Sequence, residues 1–404
     1  MLYLLKFLYL ESRRLTLEFL LYFLICAIII LLYILFKNTN LIVTIICSIL
    51  IVQIITAPKL CIDGVIMGSS LFFYKVFPSL FSFLVVCNII LCYDGINIYS
   101  KLIGKILCKP LKLPVNCSFV VMISTLCGYP LGAKYACELY EKNIIDSFTC
   151  ERLLNIASNA SPIFIVGSVG ISMLKNSFIG YILLLSNFLS CIVMGLLLPA
   201  GKSYKNYDSN KTHNYVHENM GTSIKKSIEN SLTTCISIGG FIIMFSVIDN
   251  ILKHNLLFHS LVYRISNIIG IPKDIVEGTL LGVIEMTNGC NLISSSAASI
   301  TLKLIIIGFL FTFSGICIIF QVYSFTYKFK ISMKKYVIGK VLQGTICSII
   351  SFLLYNLSFH KLSTQTFLPN YKITGNLSNV FILTLILLIV PWLLFKLKQL
   401  FHIS

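Results

Sequence analysis

Apolar runs long enough to cross a bilayer recur along the chain and constrain its fold more than any other feature. A helix needs about 20 apolar residues to cross a hydrocarbon core about 30 Å thick. Of the 404 residues, 57 % are hydrophobic and 12 % are charged, whereas soluble domains carry about 25 % charged residues. This balance excludes a soluble enzyme, a disordered protein and a coiled coil, and it predicts an all-α polytopic membrane protein. The predicted spans are residues 17–36, 41–57, 71–92, 178–198, 231–252, 305–327, 341–357 and 377–395.

Basic residues collect between these runs, as the positive-inside rule expects of cytoplasmic loops. The formal net charge is +17, and because the lysines flank the spans we expect the lipid bilayer, and no nucleic acid, as their partner. Segment 93–116 places several lysines on one helical face, which is typical of a helix lying in the membrane interface. Counting back through the spans puts the basic residues of 1–16 outside, so the orientation of the first two runs stays open. The predicted cytoplasmic loops are 93–116, 141–148, 199–230, 328–340 and 396–404.

Four further features are interruptions inside apolar segments. In the first half they are Gly-Tyr-Pro-Leu-Gly at 128–132, the first break, and Ser-Asn-Ala-Ser-Pro at 158–162, the second break. In the second half they are Glu-Met-Thr-Asn-Gly at 285–289, the third break, and Ser-Gly at 314–315, the fourth break. Gly132 and Asn159 are 27 residues apart, and Gly289 and Ser314 are 25 apart. Matching offsets predict two inverted repeats, each with a re-entrant hairpin and a discontinuous helix, as in transporters.

The same pattern predicts how the chain is divided. Residues 1–60 hold N-terminal transmembrane segments, and residues 358–404 hold a C-terminal transmembrane helix and tail. Residues 61–198 and 231–357 are the two repeats. The most hydrophilic stretch, 199–230, is a cytoplasmic loop between them.

The residue strings around the breaks resemble a known family. They are Phe-Pro-Ser-Leu-Phe at 77–81, Cys-Gly-Tyr-Pro-Leu-Gly-Ala-Lys at 127–134, Glu-Arg-Leu-Leu at 151–154, Ser-Asn-Ala-Ser-Pro-Ile-Phe-Ile at 158–165, Gly-Val-Ile-Glu-Met-Thr-Asn-Gly at 282–289, and Gln321. They are similar to the sporulation integral membrane proteins of the YlbJ type, which contain paired nucleoside-recognition gate domains. The resemblance extends from about Gly64 to Leu357.

The resemblance implies a multi-pass protein of the cell membrane, made in the mother cell of a spore-forming bacterium and placed in the outer forespore membrane. It also implies a relation to concentrative nucleoside carriers and a role in moving dipicolinic acid towards the forespore. The repeats would then be of the gate type. We therefore predict a transporter of a small organic anion.

Nothing in the sequence indicates an enzyme or a bound cofactor. The chain lacks an HExxH, a Walker A and a G-x-S-x-G motif. His213 and His217 have the i, i+4 spacing of zinc ligands, but they lie in the hydrophilic loop without a third organised ligand, so we predict no metal. The sequence leaves the coupling ion open between H⁺ and Na⁺.

The breaks carry the predicted substrate site. Each helix that restarts after a break points its positive end at an anion, and Ser161-Pro162 has the residues of an N-cap and first turn. Lys134 would pair with a carboxylate, and Tyr129 would stack on an aromatic ring. The predicted substrate-binding residues are Gly128, Tyr129, Pro130, Gly132, Lys134, Ser158, Asn159, Ser161, Glu285, Thr287, Asn288, Gly289, Ser314 and Gln321.

Structural roles remain open for several of these residues. Lys134 could pair locally with Glu138, and the first break could be a packed kink. Glu285 could cap a hairpin tip, pair with Lys134 or carry a coupling proton. The polar Asn, Ser and Thr side chains could satisfy backbone groups of broken helices, and Gln321 could bridge helices.

The sequence also leaves two other functions open and predicts where one polar pair lies. The protein could be an ion-coupled carrier of nucleosides or another solute, or a non-transporting membrane scaffold in spore assembly. Asp249 and Asn250 stand at the end of a predicted span and are expected at the interface.

Overall fold

A computed structural model of the protein describes residues 39–93, 95–199 and 219–359. Within these ranges the chain is helical and forms no strand. The predicted runs 17–36 and 377–395, and the loop with His213 and His217, lie outside the described residues. The chain divides into two compact units, residues 1–63 and 64–404.

The helices follow the order of the predicted segments. Two stretches, Phe72–Val76 and Ile163–Met173, are π-helical, and Val115–Cys117 is a 3₁₀ turn. The α-helices are α1 (Thr39–Thr56), α2 (Pro58–Leu71), α3 (Phe77–Cys92), α4 (Gly95–Leu102), α5 (Gly104–Cys108), α6 (Ser118–Cys127), α7 (Leu131–Glu141), α8 (Ser147–Ile156), α9 (Ser177–Leu197), α10 (Met220–Lys253), α11 (Leu256–Ile269), α12 (Lys273–Ile284), α13 (Met286–Ser295), α14 (Ile300–Phe313), α15 (Gly315–Thr326) and α16 (Met333–Phe359).

The described part of the first unit is α1 and the start of α2. Helix α1 coincides with the predicted run 41–57. The hydroxyls of Thr44 and Ser48 each donate to the carbonyl four residues earlier, at 2.8 Å. These bonds leave no free hydroxyl at either position of the apolar helix.

Four stretches of the described residues are long and apolar enough to cross a membrane: Ser177–Leu197, Met220–Lys253, Ile300–Thr326 and Met333–Leu357. The number rises to six if two bent helix pairs each count as one span. The protein is therefore an all-helical, multi-pass membrane protein, as the composition predicts.

Each repeat contains a hairpin with short arms. Helices α6 and α7 have 10 and 11 residues, and α12 and α13 have 12 and 10. At 1.5 Å per residue, such an arm is about 15–18 Å long, roughly half of a hydrocarbon core. Neither hairpin can cross a membrane with one arm, so both have the dimensions of re-entrant hairpins.

A discontinuous helix follows each hairpin. In the first half α8 ends at Ile156, and the helix resumes as the π-helix Ile163–Met173. In the second half α14 and α15 are separated only at Ser314, whose φ is +76°. The unbroken helices α9 and α16 come next in the two halves. The predicted order of hairpin, broken helix and span is confirmed in both.

Two predictions about basic residues need correction or refinement. Lys340 is not in a cytoplasmic loop, because α16 begins at Met333 and buries this side chain completely. Segment 93–116 is not one amphipathic helix, since α4, α5 and a 3₁₀ turn divide it. Its lysines are nevertheless exposed, as an interfacial segment requires: Lys101, Lys105, Lys109 and Lys112.

Candidate functional site

The first and second breaks pack against each other. Gly128 ends α6 with a φ of +80°, which favours glycine. A Cβ atom at Gly128 would lie 2.7 Å from the backbone nitrogen of Ser161. The backbone N–H of Tyr129 donates to the carbonyl of Asn159 at 2.8 Å. The tip of the first hairpin is thus joined to the interrupted helix of the same half.

The third and fourth breaks meet in the same way. Gly315, with a φ of +76°, begins α15. A Cβ atom there would lie 3.2 Å from the carbonyl oxygen of Ile284 and 3.3 Å from the nitrogen of Met286. The fourth break therefore lies directly against the tip of the second hairpin.

Tyr129 joins the two halves. Its hydroxyl is 2.5 Å from the sulfur of Met286, at the third break. The same hydroxyl lies 3.3 Å from the carbonyl of Phe311, three residues before the fourth break. The first break is therefore close to both the third and the fourth break.

A carboxylate caps the helix that restarts at the third break. The two oxygens of Glu285 accept from the backbone N–H groups of Thr287, at 3.1 Å, and Asn288, at 2.9 Å. The Glu285 side chain is buried, with 7 % of its residue surface exposed. The Asn288 amide donates to the carboxylate of Asp249 at 3.0 Å. Glu285 thus has the capping role that the sequence left open.

A neutral hydroxyl caps the restart at the second break. The backbone N–H of Phe164 donates to the Ser161 hydroxyl at 3.3 Å, and Pro162 stands at the start of the helix. The sequence anticipates this cap. It does not anticipate that the resumed helix is π-helical, a form that occurs often at functional sites.

Three of the four breaks, the first, second and third, border one cavity of about 180 Å³, and α15, which begins at the fourth break, lines it with Cys317, Ile318 and Gln321. Most of its wall is apolar and includes Leu80, Phe164, Ile238 and Ile242. Among the described residues that line it there is one carboxylate and no Lys or Arg. Six predicted site residues line the cavity: Tyr129, Pro130, Ser161, Glu285, Thr287 and Gln321.

The other predicted residues support the breaks from outside the cavity. Gly132 and Gly289 allow close helix contacts. A Cβ atom at Gly132 would lie 1.6 Å from the Ala157 carbonyl oxygen, and one at Gly289 would lie 2.2 Å from Gly282 Cα. Gly128 and Ser314 supply the left-handed backbone of their breaks. The remaining residues outside the lining are Lys134, Ser158, Asn159 and Asn288.

Lys134 does not line the cavity. Its ammonium is 3.2 Å from a carboxylate oxygen of Glu138 and donates to Asn88 Oδ1 at 3.2 Å. The buried Tyr135 hydroxyl donates to the same oxygen, at 3.1 Å. Lys134 therefore makes the local ion pair that the sequence left open.

Sequence reasoning missed a buried polar face on α16. Tyr336, Lys340 and Gln343 are 0–1 % exposed. The Tyr336 hydroxyl is 2.8 Å from that of Ser158, and Gln343 donates to Asn159 Oδ1 at 2.9 Å. Their i, i+4, i+7 spacing puts them on one helical face, and this spacing is the signal that could have revealed them.

Asp249 also lies elsewhere than predicted. The sequence predicts that it lies at the interface, but only 3 % of its surface is exposed, and it accepts the hydrogen bond from Asn288. Helix α10 continues to Lys253 and so places Asp249 one turn inside its end. A carboxylate next to the third break is therefore part of the structure around the candidate site.

Comparison with known proteins bears on this architecture. No family model matches the chain. The chain is 25 % identical over 331 residues to the sporulation integral membrane protein YlbJ of Bacillus subtilis (strain 168). This match covers 75 % of the chain and 79 % of YlbJ. The chain is similar to a sporulation membrane protein. The resemblance predicted from the residue strings at the breaks is thus confirmed, and the relative's name is that of a membrane protein and not of an enzyme.

Two solved structures resemble the protein more remotely. The match to CNTnw in an inward-facing, substrate-bound state covers 77 % of this chain and 86 % of the CNTnw chain, with 13 % identity and a TM-score of 0.43. The match to a CNTnw variant in an intermediate state covers 74 % of this chain and 86 % of the variant's chain, with 15 % identity and a TM-score of 0.41.

Proposed function

We propose that the protein is a membrane transporter of a small organic molecule, which binds in the cavity bordered by the first three breaks and α15. One observation carries this proposal: two hairpin tips and two interrupted helices from both halves border the same cavity. Helix breaks inside a membrane are tolerated where protein or a cavity satisfies the freed backbone groups. Transporters place such paired breaks at their substrate sites.

The cargo that we propose is dipicolinic acid, moved from the mother-cell cytoplasm across the outer forespore membrane. The similarity to a sporulation membrane protein supports this choice. The size of the cavity supports it too: its volume of about 180 Å³ is close to that of a cavity of about 150 Å³ that holds a benzene ring. A molecule with one aromatic ring fits this space better than a nucleoside, which has a base and a sugar.

Helix ends, and not Lys134, would recognise the carboxylates of this cargo. The restart at Ser161 and the beginning of α7 after Pro130 both border the cavity without a carboxylate cap. Their N-terminal N–H groups would attract anionic oxygens. The cargo's carboxylates would then face the first-half wall, away from Glu285, and the Tyr129 ring would lie against the aromatic ring.

A second candidate is an ion-coupled carrier of an uncharged solute such as a nucleoside. The observation that favours it is the charge of the cavity wall, where Glu285 is present and Lys134 is engaged elsewhere. In this mechanism Glu285 would accept hydrogen bonds from sugar or base groups, and H⁺ or Na⁺ would drive uptake.

Flux into proteoliposomes tests both candidates. Labelled dipicolinate should enter vesicles that contain the purified protein, and excess unlabelled dipicolinate should suppress this flux more than uridine or adenosine does. Ser161→Ala should weaken dipicolinate uptake, whereas Ser82→Ala, on the exposed face of α3, should not. Nucleoside uptake without dipicolinate uptake would support the second candidate. Absence of flux for every solute, with folded protein, would favour a scaffold.

A further inference from the structure

Lys340 is a buried cation next to the second break. It lies in α16 with none of its surface exposed. Its ammonium donates to the backbone carbonyl of Ser158 and, at 2.8 Å, to Oε1 of Gln343. Among the described residues, no carboxylate is within 4.0 Å of this ammonium. The charge is therefore held by uncharged oxygens.

One of these oxygens, the Ser158 carbonyl, belongs to the interruption itself, and the other lies on α16. Helix α8 ends at Ile156, so the carbonyls beyond it need partners outside the helix. The Ile156 carbonyl accepts from the Asn159 amide at 2.6 Å, and the Asn159 carbonyl accepts from Tyr129 N–H. Lys340 donates to the carbonyl of Ser158, which lies between these two in the chain. Without a donor, this buried carbonyl would destabilise the break.

The surrounding network fixes the direction of each oxygen. The NH₂ group of Gln343 donates to Asn159 Oδ1 at 2.9 Å, which leaves Oε1 to face the ammonium. The Ser158 hydroxyl is engaged with Tyr336 at 2.8 Å. The result is a pair of uncharged oxygens, one on the helix break and one on α16, that face one positive charge. Unwound backbone carbonyls of this kind coordinate Na⁺ in transporters with discontinuous helices.

We infer that the Lys340 ammonium is a tethered replacement for a bound alkali cation, held by the Ser158 carbonyl and the Gln343 side-chain oxygen. An ammonium is a compact point charge on a flexible stem, so it can occupy the position of a monovalent ion while remaining covalently attached. The second break is then neutralised without an ion from solution. The inference has one consequence for ion coupling, and this consequence rests on the proposed transport function. If the protein is a transporter, Na⁺ is not the coupling ion at this break.

Thermal unfolding of the purified full-length protein tests the inference without any flux measurement. The Tm is compared in NaCl, LiCl, KCl and choline chloride at equal ionic strength. The wild-type Tm should be the same in NaCl and in choline chloride. Lys340→Ala should have a lower Tm in choline chloride, and NaCl should raise it with a saturable dependence, by about 2–4 °C or more.

Three other variants make the comparison specific. Lys340→Met fills the space without charge and should have a lowered Tm that Na⁺ does not restore. Lys340→Ser introduces a small oxygen ligand and should respond to Na⁺ even if the alanine variant does not fold. Lys303 donates to the Ser294 carbonyl at 2.8 Å, away from the breaks, so Lys303→Ala should gain no Na⁺ response.

Two results would overturn the inference. One is a wild-type protein that Na⁺ stabilises relative to choline, because a free ion would then have its own site. The other is a folded Lys340→Ala or Lys340→Ser variant that no alkali cation stabilises, which would make Lys340 a plain hydrogen-bond donor. A Na⁺ response in these variants without flux in any proteoliposome experiment would support the inference and reject the transport function.

Discussion

The two halves of the protein have the same order of elements but satisfy their helix breaks with opposite charges. In the second half, the Glu285 carboxylate accepts from the freed N–H groups of α13, and Asp249 accepts from Asn288. At the second break, in the first half, the Lys340 ammonium of α16, a helix of the second half, donates to a freed carbonyl, and an uncharged hydroxyl caps the restart.

The difference shows that a break leaves two separate sets of backbone groups without partners inside the helix. An interrupted helix exposes acceptors at the end of one segment and donors at the start of the next. The charge at the third break, Glu285, accepts from freed donors, and the charge at the second break, Lys340, donates to a freed acceptor. The restart at Ser161 and the beginning of α7 have no carboxylate cap and lie on the first-half side of the cavity, where we place the cargo's carboxylates.

The largest expected effect comes from close contacts that both halves share. Gly132→Ala would place a Cβ atom 1.6 Å from the Ala157 carbonyl oxygen, and Gly289→Ala would place one 2.2 Å from Gly282 Cα. Neither backbone can retreat without moving a hairpin, so each should destabilise the protein by about 3 kcal/mol or more. The measurement is Tm in detergent. Gly240→Ala is the control, because no atom lies within 4 Å of its Cβ position, and it should be neutral or stabilising.

A smaller effect distinguishes the two caps. Glu285→Ala removes a charged acceptor from two N–H groups and should destabilise the protein by about 1.5–3 kcal/mol. Ser161→Ala removes a neutral cap and should cost about 1 kcal/mol. Thermal unfolding of both variants measures the difference, with Glu229→Gln on an exposed part of α10 as the control. Equal losses of stability would show that the contrast between the halves has no energetic consequence.

Tyr129→Phe tests the connection between the halves. It keeps the ring but removes the hydroxyl that contacts Met286 and the Phe311 carbonyl. The loss of one uncharged hydrogen bond should cost about 0.5–1.5 kcal/mol, and flux should fall by less than tenfold because the stacking ring remains. Tyr129→Ala should lose more of the flux. Equal flux for the two variants would remove the proposed contact between this ring and the cargo.

The smallest effect is expected at Lys134. Its ion pair with Glu138 is partly open to the surface, with 11 % and 29 % of the two side chains exposed. Such pairs contribute about 0–1 kcal/mol. Lys134→Gln should therefore change Tm only slightly and reduce dipicolinate flux less than Ser161→Ala does. Complete loss of flux from a stable Lys134→Gln protein would show that this lysine binds the anion and that the proposed role of the helix ends is wrong.

The sequence alone determined the class of fold and the positions of its interruptions. The fraction of apolar residues requires a membrane environment, and Gly, Pro and Asn clusters at matching offsets interrupt helices wherever they stand. For these reasons all four breaks were located correctly. The cap at Ser161 was also predictable, because capping depends on neighbours one turn apart.

Tertiary structure decided which side chains meet at the breaks. The sequence offered Lys134 as the cation of the site because it is close to the first break along the chain, but helix α7 turns it towards Glu138 and Asn88. Lys340 was assigned to a loop, yet it reaches the carbonyl of Ser158, 182 residues away. Charge in an apolar interior is held by whichever partners packing brings within hydrogen-bond distance, and sequence separation does not encode that distance.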